Sequence, residues 1–529
     1  MALRLKEIAL RLDEEEKILP DKLAEKLGLE RSAIRNWKIV RRSIDARRKP
    51  AVLRIYTLEF RCANEADLLA RHSEQKNLAV VVSKPRPQPL RVAPPGLHIL
   101  VVGMGPAGLF GALTLAEAGV RVTLIERGQP VAERQRAVHR FQQGGGLDPE
   151  NNIQFGEGGA GTFSDGKLTC RTNNPLSGEI LQRLVACGAP ETILTQAKPH
   201  IGSDRLRRVL IGLRRQLQSK GVDIRYGSRL TGLERYRGRI CAGRINDTAQ
   251  LDCSGILLAP GHSARDLYQQ LIDDGIQTEL KPFAIGLRVE HPLELINQIQ
   301  YSWPRHPQLP AADYRLSWHD RTTGRGVYSF CMCPGGWVVN AASEAEALVV
   351  NGMSNYHRAA PWSNSALVVS VGPADFSGSD PLAGVRFQRH WERSAYIAGG
   401  STWAAPAQPL LEFLQGRPGR LESSCRPGVA HADLSACLPP AVSASLKRAL
   451  PHFNQRMRGF VGPEATLIGV ETRTSAPLRI LRNQQGESVS HPGLFPAGEG
   501  AGYAGGIMSA AIDGMQAARN IIQQANQGL

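Results

Sequence analysis

The chain has 529 residues, with Lys+Arg 64 against Asp+Glu 48, a formal net charge of +16, 42% hydrophobic and 21% charged residues. This much apolar chain exceeds what one core organises, so two or three domains are expected, and 9 cysteines without dense paired spacing exclude a disulfide-stapled secreted scaffold and favour a reducing cytoplasm. No apolar run reaches the length of a membrane span and the first residues lack the pattern of a signal peptide, so the expectation is a cytoplasmic protein with no membrane span.

Half of the charge excess sits at the front. Residues 1–98 hold 21 Lys+Arg and 13 Asp+Glu, and from Arg31 to Arg54 nine basic side chains face one acid, Asp45. Such a run can grip phosphates, which makes nucleic acid a candidate partner; the plainer reading is a solvated face plus turn, since only Trp37 and Tyr56 offer stacking surfaces nearby. Leu3–Leu12 and Ala51–Phe60 read as strands, Asp21–Leu29 as a short helix opened by Pro20 and closed near Gly28, and Leu78–Val82 as a further strand. These make a small α+β module over residues 1–84. Five prolines between Lys84 and Gly96 cannot continue helix or sheet, so residues 85–96 are read as an extended linker.

A β-α-β unit follows at once. His98–Val102 is an apolar run of buried parallel-strand type, Gly103-Met-Gly105-Pro106-Ala107-Gly108 is a glycine turn, a helix runs toward Gly119, and Val120–Ile125 is a second strand ending in Glu126 and Arg127. Gly103 permits a tight turn, Gly105 lets backbone amides approach a pyrophosphate, and Gly108 lets the helix pack closely on the strand. Glu126, 18 residues past Gly108, stands where a carboxylate accepts hydrogen bonds from ribose hydroxyls. This unit alone leaves FAD and NAD both open, because they share the ADP half.

Further along, Ile153–Leu168 carries five glycines in eleven residues, among them Gly158, Gly159 and Gly161, and ends in Lys167. Its backbone can press against a planar or anionic ligand. Ser254–Leu258 reads as a strand delivering Ala259-Pro-Gly261-His262. Phe283–Val289, Tyr314–Trp318, Val327–Met332, Trp337–Ala341 and Ala366–Val371 read as short strands of an antiparallel sheet, and Thr466–Val470 as a later one. At the end, Gly498-Glu499-Gly500 follows a short strand, and Gly505-Gly506-Ile507 opens a last helix. A chain that returns in this way suits FAD better than NAD: the acid can hold ribityl hydroxyls while the helix N-terminus stabilises negative charge on the flavin ring.

The Gly103–Gly108 turn with Glu126, Ala259-Pro-Gly261 and Ala497-Gly-Glu499-Gly resemble the three cofactor motifs of the glutathione-reductase-type FAD superfamily. The strings Phe155–Leu168, Gly261–Asp266, Phe330–Gly336 and Asn351–Ser354 are similar to a family of poorly characterised bacterial FAD-dependent dehydrogenases, over essentially the whole chain. That resemblance implies an α/β fold in which a Rossmann-like FAD-binding domain with a parallel sheet is interrupted by a β-rich antiparallel substrate domain. The expected parts are residues 97–279 and 438–529 for the FAD domain and 280–437 for the insertion. It implies no substrate. The superfamily usually has Asp where this chain has Glu499, one methylene longer.

The chemistry therefore expected is an FAD-dependent oxidoreductase acting on an unidentified small molecule. No second glycine fingerprint follows residue 108, so NAD(P)H would serve only as a transient reductant. Two other readings stand beside it: an RNA-acting flavoprotein that docks through Arg31–Arg54, and a non-enzymatic flavin redox sensor. Catalytic candidates are His262, next to the cofactor loop, and Cys331 and Cys333, which as alternate strand residues point to one face and lack the spacing of a thioredoxin-type motif or of a zinc site. Lys167 is either a counter-charge for pyrophosphate or a substrate carboxylate, or an exposed lysine. Arg265 and Asp266 read as helix caps, and Glu471 and Arg473 as either a structural pair or flavin-facing groups. No metal site is expected.

Overall fold

A computed structural model describes residues 2–82, 88–170 and 174–528. The parallel sheet lies at the centre of the site. Its five strands run in the order Leu494–Pro496, Gly255–Leu258, His98–Val102, Arg121–Ile125, Asp223–Arg225, and every neighbouring pair is parallel. All five carboxyl ends therefore open on one side, where doubly wound sheets bind their ligands. The inner strands are continuous apolar runs because both faces are covered, one by helices Pro106–Glu117 and Ile507–Ala525, the other by the antiparallel sheet Leu230–Tyr236, Arg239–Ile245, Ala249–Asp252 with helix Arg265–Asp273. Helix Pro106–Glu117, which begins on the glycine turn with a proline in its first turn, crosses the last helix, Ile507–Ala525, so closely that a Cβ on Gly514 would lie 2.0 Å from the Ala107 carbonyl oxygen. First and last motifs thus meet although some 400 residues separate them.

The second domain is built on a seven-stranded sheet in the order Ser317–Asp320, Arg325–Cys333, Trp362–Val371, Phe283–Pro292, Thr466–Glu471, Ala405–Pro409, Val429–His431. It is antiparallel except for its last pair. Helix Pro440–Arg456 buries Val442, Leu446, Leu450 and Phe453 in the same core. This corrects the expected return to the FAD domain at 438. Thr466–Glu471 pairs with Phe283–Pro292 and Ala405–Pro409, so the chain leaves the second domain only after that strand. Gly336–Asn340 also departs from expectation, pairing with Val350–Ser354 in a separate two-stranded ribbon.

The N-terminal module is a four-stranded antiparallel sheet, Arg35–Asp45, Leu53–Arg61, Leu3–Leu10, Leu78–Val80, packed on helix Leu19–Leu27. That helix has Pro20 and Asp21 in its first turn and ends at Gly28, whose φ of 61° is the left-handed cap that glycine favours. Strand Arg35–Asp45 occupies the basic run that the sequence suggested was face and turn. Residues 85–87 of the expected linker, and Lys84 before them, lie outside the described residues; 88–97 run without helix or strand along the last helix, where Arg519 and Asn526 donate to the Gln88 and Val92 carbonyls.

Candidate functional site

One cleft of ≈ 2330 Å³ runs from the carboxyl ends of the parallel strands to the N-terminal module. Single small-ligand sites measure about 300–1,000 Å³, so this one has room for a dinucleotide and a second molecule together.

Its floor is the turn 103–108. Two of its glycines are required by packing: Gly103 has φ +94° and a Cβ there would lie 2.3 Å from the Ala259 carbonyl oxygen, and a Cβ on Gly108 would lie 1.8 Å from the Gly103 oxygen. Gly105 is different. Its φ is −75° and nothing lies within 4 Å of an added Cβ; Gly505, at the other end of the floor, is equally open. The protein's own packing asks for glycine at neither place, whereas a ligand resting against the backbone does. The residues present therefore fit a dinucleotide. Glu126, 5% exposed, accepts from Met104 N–H through Oε2 and from Gly128 and Gly156 N–H through Oε1, each at 2.9 Å. A carboxylate offers about four lone-pair sites, so one remains for a ribose hydroxyl. Arg127 beside it is held by Glu150 and Asp266, with its guanidinium 4.0 Å above the Phe155 ring.

The glycine-rich segment folds over this floor. Gly158 N–H donates to the Met104 carbonyl at 2.8 Å, Gly159 comes within 3.2 Å of Gly105 Cα, and Gly161 within 3.2 Å of Ile507 Cγ1, both measured from an added Cβ. The loop thus bridges the first and last motifs. What fixes it is Arg134, wholly buried on helix Val131–Gln142, whose guanidinium donates to the carbonyls of Asn152, Ile153, Gly156, Glu157 and Gly159 and to Thr162 Oγ1. At the end of the loop Asp165 pairs with Arg358 at 2.6 Å and Lys167 at 2.8 Å. Burial alone would raise its carboxyl, but the two cations outweigh that and hold it at about 2. Lys167 Nζ also donates to the Met332 carbonyl, across the cleft.

Ala259, Gly261, Gly498, Glu499, Gly506 and Ile507 all border the same cleft. Glu499 accepts from Gly506 N–H, yet burial pushes its carboxyl up to about 7. Gly498 N–H donates to Asp513, which Arg482 fixes at 2.7 Å. His262 lines the cleft with Nδ1 3.0 Å from Ser263 Oγ. Burial first, then Arg473 and Arg265, pull it down to about 3, so the imidazole is neutral near pH 7.

The facing wall comes from the second domain. Arg288, fully buried, donates to Glu471 at 2.9 Å, to Asn364 and Asn351, and to the Cys331 carbonyl at 3.3 Å. Burial raises Glu471 to about 7 despite this partner. Cys331 lines the cleft with φ +45°, a left-handed conformation uncommon for any residue but glycine and asparagine, within a bulge between Phe330 and Cys333.

Several expectations change here. The bulge breaks the period-2 alternation, so Cys331 borders the cleft while Cys333 is fully buried behind it. Gly158 likewise stands behind the wall; a Cβ there would strike Thr162 and Leu210, so it serves the scaffold, as Gly108 does by letting the helix pack on the strand. Lys167 is not a free surface lysine. Arg265 and Asp266 are not caps: Asp266 pairs with Arg127, and Arg265 with Glu392 and Glu344. Glu471 and Arg473 do not pair with each other, since Arg473 shares Glu392 with Arg265.

The third wall is the N-terminal module. Arg42, Ser43, Ile44, Arg47 and Lys49 border the cleft, and strand Arg35–Asp45 joins the FAD domain by backbone bonds from Arg42 N–H to Thr195 and from Ala197 N–H to Arg42. Much of the basic run has partners within the protein: Arg31 with Asp21, Lys38 with Glu59, Arg42 with Glu16, Arg47 with Asp45, and Arg54 with Gln308 and the Glu14 carbonyl. Among the described residues no cluster of three or more His, Cys, Asp or Glu could hold a metal ion, and no helix is long and apolar enough to cross a membrane.

Sequence reasoning missed Arg134, the Arg358–Asp165 pair and the Arg288–Glu471 pair. All three join distant segments and leave no local signal.

Three family models match the chain: a domain of unknown function over residues 3–61, an FAD binding domain over 97–143, and the C-terminal domain-like part of FAD-dependent proteins over 282–474. The cofactor is FAD. An uncharacterized protein of Clostridium beijerinckii is 41% identical over 534 residues, covering 99% of each chain. Solved structures similar to the chain include CtdE in complex with FAD (10% identity, 82% of this chain and 88% of that chain, TM-score 0.32). Another is a geranylgeranyl bacteriochlorophyll reductase-like protein from Thermoplasma acidophilum (13% identity, 82% and 79%, TM-score 0.34).

Proposed function

The chain belongs to the family of the uncharacterized Clostridium beijerinckii protein, with an FAD-binding domain in it, and we propose that it is an FAD-dependent oxidoreductase of dehydrogenase or reductase type acting on a small molecule. The observation that carries this reading is the single cleft in which the Gly105 turn, Glu126, Gly505-Gly506 and the second-domain wall around Cys331 and Glu471 all meet. When bound, FAD supplies the hydride- and electron-transfer chemistry; the residues of the chain supply position and charge.

In this reading the amides around Gly105 and the start of helix Pro106–Glu117 receive the pyrophosphate, Glu126 takes a ribose hydroxyl, and the N-terminus of helix Ile507–Ala525 faces the flavin end. Glu499 stands where it would meet the ribityl chain. Lys167, pinned between Asp165 and the Met332 carbonyl, keeps a positive charge at the boundary between cofactor and substrate space. Glu471 on the second-domain wall and Glu499 at the cofactor end, each poised at about 7, are able to give or take a proton near neutral pH, while His262 is confined to hydrogen bonding. The N-terminal module closes the far end of the cleft, and the turn that follows its strand Arg35–Asp45 presents Arg47 and Lys49 to whatever enters there. NAD(P)H would visit this space as a transient reductant. A wall of the cleft is thus the role the structure favours for the basic module.

The test is direct. Protein purified without added cofactor is expected to be yellow, to release FAD on denaturation, and to bleach anaerobically with NADH or NADPH. Colourless protein that shows no thermal shift with FAD would overturn the reading; bleaching by neither nicotinamide would remove them as donors.

A further inference from the structure

We propose that Cys331 and Cys333 are a thiol–disulfide redox pair in the cleft wall, Cys331 attacking a small-molecule disulfide and Cys333 resolving the product. Four features place them together. Cys331 borders the cleft and is partly exposed, while Cys333 is fully buried behind it, so one sulfur can be reached from the cleft and the other only through its neighbour. The bulge between Phe330 and Cys333 and the left-handed backbone of Cys331 fold the strand back on itself, so that the Cys333 thiol donates to the Cys331 backbone carbonyl at 3.3 Å. Lys167 Nζ bonds the carbonyl of Met332, the residue between them, and Arg288 bonds the Cys331 carbonyl at 3.3 Å. The acids nearby are already matched, Asp165 by Lys167 and Arg358, and Glu471 by Arg288.

The electrostatics are asymmetric in the sense that such a pair requires. The neighbouring Cys333 thiol, then Lys167 and Arg288, hold the Cys331 thiol well below the ordinary thiol range against the effect of burial. The neighbouring Cys331 and burial push Cys333 well above it. Thiolate character is what makes a cysteine attack a disulfide.

The chemistry balances without the flavin. Cys331 thiolate attacks one sulfur of RSSR, forming a Cys331–SR bond and releasing RS⁻. Cys333 then loses its proton and attacks Cys331 Sγ, forming the Cys331–Cys333 bond and releasing the second RS⁻. RSSR and two protein thiols thus become two RSH and one protein disulfide. The inference goes beyond the flavin reading and does not depend on it, since both sulfurs belong to the chain and the readout below is mass.

The experiment uses the full-length purified protein, reduced, freed of reductant, treated with glutathione disulfide, alkylated and digested with trypsin. Both cysteines fall in the peptide between Arg325 and Arg358, which contains no other. The expected result is that peptide unalkylated and lighter by two hydrogens than the reduced form. Two alkyl groups on it after oxidation, a glutathione adduct persisting on Cys331, or a bridge from either residue to another cysteine would each overturn the proposal. In Cys333→Ser the glutathione adduct on Cys331 is expected to persist, and adding Lys167→Met is expected to slow alkylation of Cys331 about tenfold at neutral pH; an unchanged rate counts against the role given to Lys167. Should either variant fail to fold, the wild-type peptide mass still decides.

Discussion

Gly105 and Gly108 are three residues apart in one turn, yet a methyl group means different things at each. At Gly108 it would strike the Gly103 carbonyl at 1.8 Å, so Gly108→Ala is expected to damage the fold itself. At Gly105 the backbone is already in a region open to any residue and the space beside it is empty, so Gly105→Ala is expected to leave the stability of the cofactor-free protein within about 0.5 kcal/mol of wild type. It should nevertheless strip FAD during gel filtration, because in the proposed reading the methyl would stand where the pyrophosphate rests. Urea unfolding of the apoprotein and the flavin content of the purified protein check the two halves separately; unchanged FAD retention would mean that the pyrophosphate lies elsewhere. A second residue-scale prediction concerns pH. Glu471 is held at about 7 by burial, against an ordinary 4.5. Between these values the folded protein keeps a proton that the unfolded chain has lost, so this group lowers stability as pH rises through the window, has no effect below it and exerts its full cost above it. Glu471→Gln removes the titration. The stability difference, variant minus wild type, is therefore expected to climb from pH 4.5 to about 7 and then level off. Loss of the charge partner of Arg288 shifts the whole curve without changing its slope. Urea midpoints of both apoproteins across the pH range measure it, and parallel profiles would contradict the assignment.

The element that decides the shape of the floor is the loop from Asn152 to Thr162, and it has almost no regular hydrogen bonding of its own. Arg134 substitutes for a ladder by gathering five carbonyls onto one guanidinium. In Arg134→Met those carbonyls remain buried with no donor, which is expected to cost at least about 3 kcal/mol and to open the loop preferentially. Amide exchange or trypsin cleavage rising first within 152–168, ahead of the rest of the chain, is the expected signature; a uniform loss of protection would assign Arg134 to general packing instead. The same loop marks where the sequence is readable. Its glycines, the 103–108 turn and the Gly505-Gly506 helix start announce themselves because each needs a residue type at a fixed local spacing. Arg134 does not, being one more arginine on a basic helix until the fold brings the loop to it. Strand Arg35–Asp45 went unread for a related reason. Its outward charges belong to a sheet edge docked on Thr195–Ala197, so hydrophobic alternation is absent from its own sequence. Thr466–Val470 was legible as a strand from its apolar run Leu467–Val470, but a short apolar run does not say which of two sheets receives it.

On the scale of the molecule, three parts close one cleft, so their mutual fixation is a condition of the site. The joint between the FAD domain and the second domain is ionic. Glu392, fully buried on helix Ala383–Ala398, holds Arg265 of the FAD domain at 2.7 Å and Arg473 at 2.8 Å, and accepts from Thr472 Oγ1 at 2.6 Å. Burial alone would raise this carboxyl, but the two guanidiniums outweigh burial and keep it charged. Arg473 in turn reaches back to Ser263 beside His262, which ties the joint to the cofactor loop. Replacing Glu392 by Gln preserves the volume but leaves two buried cations with one acid, Glu344, which pairs with Arg265 at 3.1 Å and is shared with Arg389. Breaking a buried pair on one side costs about 3–5 kcal/mol, whereas an apolar replacement of all members can be neutral. Glu392→Gln is therefore expected to separate the unfolding of the two domains, giving two calorimetric transitions where wild type gives one, and to weaken FAD binding without touching any residue that borders the cofactor. The triple replacement Glu392→Leu, Arg265→Met, Arg473→Met is expected to recover much of the stability but not the placement of Ser263. If Glu392→Gln instead unfolds in a single transition with normal FAD content, the ionic joint is dispensable and the domains are held by their apolar contacts alone.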